Sequence, residues 1–221
     1  NGSFDGALDE NSEVIDFGLV FVNATSPSQG LSLHNLESTA GYTAALDLDS
    51  ILGSGDTSTL TTDLATFSDL AAGASSAFNV MLDTSVPGDF SATYSLTLSD
   101  EDLDGELTGM SMTIDLIAQV VIQGDVNIDG KVDGLDANAI SMNFLATGLS
   151  YGDGDVNLDG KIDGLDANII AMNFGLMNSD FPMPPPSGGP GNPVPEPATW
   201  ALVALGLFSL GASSRRRRRR D

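Results

Sequence analysis

Residues 124–144 read GDVNIDGKVDGLDANAISMNF, and residues 154–174 read GDVNLDGKIDGLDANIIAMNF. The second copy starts 30 residues after the first and differs at four places: Ile128/Leu158, Val132/Ile162, Ala139/Ile169 and Ser141/Ala171. Each exchange keeps an apolar or small side chain, so the two stretches are duplicates of one structural unit. With Asp125 as position 1, oxygen-bearing side chains fall at positions 1 (Asp125), 3 (Asn127), 5 (Asp129), 9 (Asp133) and 12 (Asp136). Gly130 stands at position 6 and Lys131 at position 7. The second copy repeats this with Asp155, Asn157, Asp159, Asp163 and Asp166 around Gly160 and Lys161.

That spacing has a chemical reading. A hard cation such as Ca²⁺ takes six to eight oxygens at about 2.3–2.6 Å, and a twelve-residue loop supplies them from positions 1, 3, 5, 7, 9 and 12. Lys131 and Lys161 would contribute only their backbone carbonyls. Glycine at position 6 permits the sharp reversal that wraps the loop around one point. The pattern is that of the EF-hand loop, with Asp in place of the usual Glu at position 12. Each copy gathers four carboxylates, which repel one another unless a cation lies between them. Plain Asp/Asn/Gly turns need no such positional repetition, and five protein side chains would crowd the smaller Mg²⁺. The expectation is two bound Ca²⁺ ions.

After each loop the apolar period becomes helical. Leu135, Ala139 and Met142 recur at i, i+4 and i+7, with Ile140 and Phe144 alongside; Leu165, Ile169, Met172, Ile170 and Phe174 repeat them. These stripes read as core, where two helices pack on each other. Val132 and Ile162, at position 8, are expected to pair the two loops through a short β-bridge.

The charge distribution narrows the partners. The net charge is −23, and six of the eight basic residues form one block at 215–220. Only Lys131 and Lys161 are basic elsewhere, so the body lacks the Lys and Arg that phosphate contacts require, and no nucleic-acid partner is expected. There is no cysteine, which excludes disulfides, thiolate metal sites and Cys nucleophiles. The single histidine, His34, lies in the polar context SLHNLES and reads as a surface residue; no nucleophile-elbow pattern accompanies it. Glu101 and Asp104 are among many acidic residues, but nothing marks two as a facing glycosidase pair. The reading is non-catalytic. The opening residues NGSFDGALDENSE have neither a basic start nor an apolar core, so they are not a signal peptide, and the chain reads as a mature or truncated form.

From Val14 to Ile122 the sequence consists of short β-type runs between turn clusters: VIDFGLVFV, LSLHNL, YTAALDLDSI, SAFNVMLDTS, FSATYSLTLS and MSMTIDLIAQVVI. Phe90, Ala92, Tyr94, Leu96 and Leu98 alternate with Ser91, Thr93, Ser95 and Thr97, the pattern of a strand with one buried face. Six or seven such runs predict an antiparallel β-sandwich. Residues 60–72 are compatible with a short helix or a turn. The acidic stretch SDEDLDGE at 99–106 reads as a solvated hairpin loop.

Residues 182–197 are rich in Pro and Gly and read as an extended linker. The apolar run ATWALVALGLFSLGA follows at 198–212, then six arginines. Fifteen helical residues span about 22 Å, which flanking residues extend toward the roughly 30 Å of a bilayer core. The arginines should stay cytoplasmic, placing the acidic body outside.

Three resemblances follow from these motifs. VIDFGLVFVNATSPSQGLSLHN resembles the opening of Ig-like sandwich repeats of bacterial surface proteins, which implies a spacer or adhesive fold. The loop-helix pair resembles the type I dockerin duplication, which folds on two calcium ions and binds cohesin modules. In that family loop positions 10 and 11 and the following helix carry the cohesin contact, often through hydroxyl residues; here they are Gly134 and Leu135, and Gly164 and Leu165. Pro195-Glu196-Pro197, an apolar run and a basic end together resemble the PEP-CTERM sorting signal. That resemblance implies export, transient anchoring in the cytoplasmic membrane by a C-terminal helix, and processing by an exosortase.

The expected architecture is mainly β with α. A flexible N-terminus (1–13) leads into an antiparallel Ig-like β-sandwich (14–122). A dockerin-like calcium module (123–178), a Pro/Gly linker (179–193) and a sorting signal with a hydrophobic helix (194–221) follow. The expected function is that of an exported calcium-binding cell-surface or matrix protein, with exosortase and an extracellular polysaccharide or cohesin-like module as partners. The alternative is a cohesin-docked component of a polysaccharide-degrading assembly.

Overall fold

The computed structural model describes residues 1–37, 43–100 and 109–182. These belong to one compact unit. The PEP tripeptide, the apolar run at 198–212, the arginine block and most of the acidic stretch at 99–106 lie outside the described residues, so the expected C-terminal helix does too. No helix among the described residues is long and apolar enough to cross a membrane.

The described fold is mainly β with two short helices. Its strands are β1 (Gly2–Ser3), β2 (Ser12–Phe21), β3 (Ser28–Asn35), β4 (Leu46–Gly55), β5 (Leu60–Thr62), β6 (Phe67–Leu70), β7 (Ser75–Leu82), β8 (Gly88–Asp100) and β9 (Met110–Val121). They form a four-stranded sheet in the order β1-β3-β7-β5 and a five-stranded sheet in the order β2-β9-β8-β4-β6. One apolar cluster draws on both sheets, with Leu33 and Val80 from the first and Leu96 and Ile114 from the second fully buried.

β8 shows why the alternation decides the packing. Phe90, Ala92, Tyr94, Leu96 and Leu98 are all buried. Thr93, on the opposite face, donates its hydroxyl hydrogen bond to Asp115. The buried Tyr94 hydroxyl donates to the Leu60 carbonyl at 2.8 Å, tying the second sheet to β5 of the first.

Three expectations need correction here. β2 runs parallel to β9, from Ser12 beside Thr113 to Phe21 beside Val121, so the arrangement is not purely antiparallel. Alternation reports which face a side chain occupies and not the direction of the neighbouring strand, which depends on where the chain re-enters the sheet. A bulge between Asp16 and Leu19 interrupts this pair, with Gly18 at φ +67. Residues 1–13 are not a loose terminus: Gly2 and Ser3 pair with β3, and the buried Ser3 hydroxyl donates to Leu8 and accepts from the Asp5 and Glu10 amides. Residues 60–72 contain the two short strands β5 and β6 rather than a helix.

β9 carries the chain from one core to the next. Its inward positions alternate through Val120, after which Val121 and Ile122 are both buried. They belong to a second cluster with Val126, Val132, Ile140, Tyr151, Val156, Ile162 and Ile170, against which Leu19 and Phe21 of β2 also pack. Tyr151 stands at the junction. Its ring lies 5.8 Å from that of Phe21, and its hydroxyl donates to the Ile122 carbonyl (3.1 Å) while accepting from the Gly124 amide (3.2 Å). In Tyr151→Phe the buried Gly124 N–H loses its acceptor, at a cost of about 1–3 kcal/mol. Urea unfolding of the calcium-saturated chain should show this loss, and an unchanged midpoint would remove the hydroxyl from the account of the junction.

Candidate metal centre

The helices α1 (Gly134–Asn143) and α2 (Gly164–Asn173) each follow one of the duplicated loops. Both start with a capping box. Asp133 accepts from the Leu135 amide, and Asp136 accepts from the Asp133 amide at 2.7 Å; Asp163 and Asp166 repeat the arrangement. The acidic side chains at positions 9 and 12 therefore fasten the loop exit to the helix N-terminus, where negative charge is favoured.

The other carboxylates fold the loop back on itself. Asp125 accepts from the amides of Asp129 (3.1 Å) and Gly130 (2.8 Å), reaching from position 1 across to the reversal. Asp136 accepts from Val126 (2.8 Å) and Asn127 (3.2 Å), reaching from position 12 back to the entry. Asn127 and Asp129 accept from the amides two residues on, Asp129 and Lys131. The second loop repeats each of these bonds to within a few tenths of an ångström. Gly130 and Gly160 take φ +85 and +83, the left-handed reversal expected at position 6. Ile128 and Leu158 at position 4 also have positive φ, which for these side chains is strained backbone imposed by the closure of the loop.

Asp125, Asp136, Asp155 and Asp166 are buried in a shell that holds no basic side chain among their hydrogen-bond partners. Burial pushes the Asp125 carboxyl above the usual carboxylate range; the Gly130 and Asp129 amides pull it down, and the charges of Asp136 and Asp129 push it up. Among the described residues no three Asp, Glu or His side chains form a metal-binding group by themselves. The donor set of each loop is mixed: carboxylates, an Asn carbonyl and the position-7 backbone carbonyl. An ionised carboxylate has about four lone-pair sites, so Asp125, which accepts two amides, and Asp136, which accepts three, each keep capacity for a cation. Oxygen-only donors in an acidic, sharply reversed loop fit a hard divalent ion.

The two copies are woven together, and not as their sequence predicts. Val132 and Ile162 do not pair with each other. Val132 exchanges backbone bonds with Leu176 (2.9 Å) and Gly175 (2.8 Å), and Ile162 with Ala146 (3.0 Å) and Leu145 (2.8 Å). Lys131 bridges Met177 and Lys161 bridges Thr147. Each loop thus pairs with the tail leaving the other copy's helix. Both position-8 side chains are fully buried, so their backbone groups need protein partners, and the crossing tails provide them. Asn143 at the end of α1 donates to the Asp153 carbonyl (2.8 Å) before the second loop, and Asn173 donates to the Gln123 carbonyl (2.6 Å) before the first. Local periodicity missed these two clamps, although their identical place in both copies (…MNF) is the signal that marks them.

The helical stripes also differ from expectation. Ile140 and Ile170 are buried, but Leu135 and Leu165 are 63% and 60% exposed, Met142 and Met172 both 76%, and Phe144 and Phe174 more than half. Each helix is apolar on two sides: Ile140 and Ile170 sit in the core, and of the other line only Ala139 and Ile169 pack partly against it. The loop position 11 leucines and the helix methionines face solvent.

Residues 123–175 match the family model of the dockerin type I domain. The chain carries a dockerin module. Residues 193–219 match the PEP-CTERM protein-sorting motif. Together the two matches support an exported protein with a calcium-binding dockerin module and a sorting signal. No curated protein sequence matches the chain. Similar solved structures include the Vibrio cholerae VesB protease (16% identity, TM-score 0.35), where the likeness covers 49% of this chain and 30% of that one. They also include WR4, a C. elegans MSP family member (12%, TM-score 0.32, covering 45% and 91%). A third is a type II cohesin-X-dockerin complex from Acetivibrio cellulolyticus (20%, TM-score 0.26, covering 71% and 99%). The chain spans less than a third of the protease's length. TM-scores this low mark a local likeness and do not establish a shared fold.

Proposed function

We propose that this chain is a non-catalytic, exported surface or matrix protein in which an Ig-like sandwich acts as a spacer and the dockerin module docks a partner. Each loop holds one Ca²⁺ through Asp125, Asn127, Asp129, the Lys131 carbonyl, Asp133 and Asp136, or through Asp155, Asn157, Asp159, the Lys161 carbonyl, Asp163 and Asp166. Position 9 acts through water, as is common in loops of this spacing. The calcium supplies the positive charge that lets four carboxylates close on one point; the protein supplies the fold that positions them. Pro195-Glu196-Pro197, the apolar run and the arginines serve as the exosortase address, and the apolar run and arginines are removed on processing.

The observation that carries the docking role is the exposed apolar line of Leu135 and Met142 on α1, repeated by Leu165 and Met172 on α2. A face of this kind on a soluble module marks a protein contact more often than a bare surface. It favours a cohesin-type protein partner, the second reading, over a polysaccharide, which would call for polar groups. Capture of type I cohesin modules by the chain should require calcium and disappear in Leu135→Asp/Leu165→Asp. If no cohesin in a broad panel is captured while calcium still binds, the matrix reading stands without the docked assembly.

A further inference from the structure

The two loops are identical at every ligand position, yet their surroundings are not. The first loop lies against the sandwich. A cavity of about 100 Å³ is bounded on one side by Pro87, Gly88 and Asp89 at the start of β8, and on the other by Asp125, Ile128, Gly130 and Asn178. By liquid volume that holds roughly three waters. The reversals differ as well. At the first loop the Asn178 amide donates to the Gly130 carbonyl (2.9 Å), and at the second the Gly148 amide donates to the Gly160 carbonyl (2.9 Å). The backbone bond is shared, but only Asn178 has a side chain. It rests on the reversal so closely that a Cβ on Gly130 would lie 2.7 Å from its Nδ2, whereas nothing lies within 4 Å of the corresponding point on Gly160. The junction residue Tyr151 binds the Gly124 amide, next to position 1 of the first loop.

We propose that the first loop is a sheltered calcium site at the junction with the sandwich, which releases its ion slowly, and that the second loop is an open site which exchanges freely. This rests on the reading of both loops as calcium sites. An ion leaves such a loop as water replaces protein oxygens one at a time. At the first loop Asn178 covers the reversal and the Pro87–Asp89 turn restricts water on that side, while the Asp89 carboxylate adds negative charge nearby. At the second loop Gly148 brings no side chain to the reversal, and nothing lies within 4 Å of a Cβ on Gly160. The module thus has one retained ion beside the sandwich and one that follows the calcium level of its surroundings.

The test is stopped-flow mixing of the calcium-saturated chain with a fluorescent chelator. Two release phases of similar amplitude are expected, separated by about tenfold, the scale set by one or two hydrogen-bond-sized contacts. Asp129→Asn, isosteric at position 5 of the first loop, should accelerate the slow phase. Asp159→Asn should accelerate the fast phase. Asn178→Gly, which gives the first loop the residue found at the second, should bring the slow phase toward the fast one without altering any ligand. A single phase, or Asp159→Asn acting on the slow phase, or no effect of Asn178→Gly, overturns the inequality. Failure to bind calcium at all would instead overturn the calcium reading itself.

Discussion

Removing calcium with excess chelator should unfold residues 123–182 and leave the two β-sheets standing. The first apolar cluster is complete within residues 1–120, whereas the second is small and is built around the two loops. Its helices have ten residues each, too short to persist in water on propensity alone. Asp125, Asp136, Asp155 and Asp166 are buried, and without a cation their charges repel at close range. A ligand at a thousand times its Kd contributes about 4 kcal/mol to the folded state, so two such ions add about 8 kcal/mol, comparable with the whole net stability of a small domain. Far-ultraviolet circular dichroism should lose its helical part and keep its β part. Amide exchange at Val121 and Ile122 should rise, because those residues belong to the second cluster, while exchange at Leu96 and Ile114 stays slow. Helices that survive exhaustive chelation would show that the loops close without metal.

What could be read from the sequence follows what each pattern physically encodes. The loop positions were legible because oxygen donors, a glycine reversal and a fixed spacing are all needed at once. The structure adds that Asp133 and Asp136 form the capping box at the start of α1. The β8 alternation was legible because a strand has only two faces. Its neighbours were not, since the parallel entry of β2 beside β9 depends on the path of the whole chain. The helical stripe misled for a related reason. Leu135, Ala139 and Met142 form one line and Ile140 with Phe144 the next, so most of the circumference is apolar. Periodicity reports that an apolar face exists but not which face meets the core. The tail exchange was hidden because each copy, read alone, offers its own tail as a partner. Only in three dimensions do Met177 and Thr147 reach the opposite loops.

That exchange makes the module a single folding unit, and Gly154 is where breaking it has the largest effect. Gly154 has φ +115, and a Cβ there would lie 3.2 Å from both the Cα and the backbone N of Ile140 in α1. Those atoms belong to a helix backbone and cannot turn aside as a side-chain tip can. Gly154→Val combines a strained backbone, about 1–3 kcal/mol, with overpacking of about 1–3 kcal/mol. A loss of about 3 kcal/mol or more is expected, close to the whole stability of so small a core. Gly164→Ala is the matched control: it opens α2, meets nothing within 4 Å, and exchanges glycine for the best helix former. In calorimetry Gly154→Val should abolish uptake at both loops together, although it alters no ligand and lies next to only the second. The reason is that α1, displaced by the new side chain, carries Asp136 of the first loop and sends its tail to pair with the second. Retention of full-strength binding at the first loop would mean that the copies fold independently and that the crossing tails are incidental to their stability.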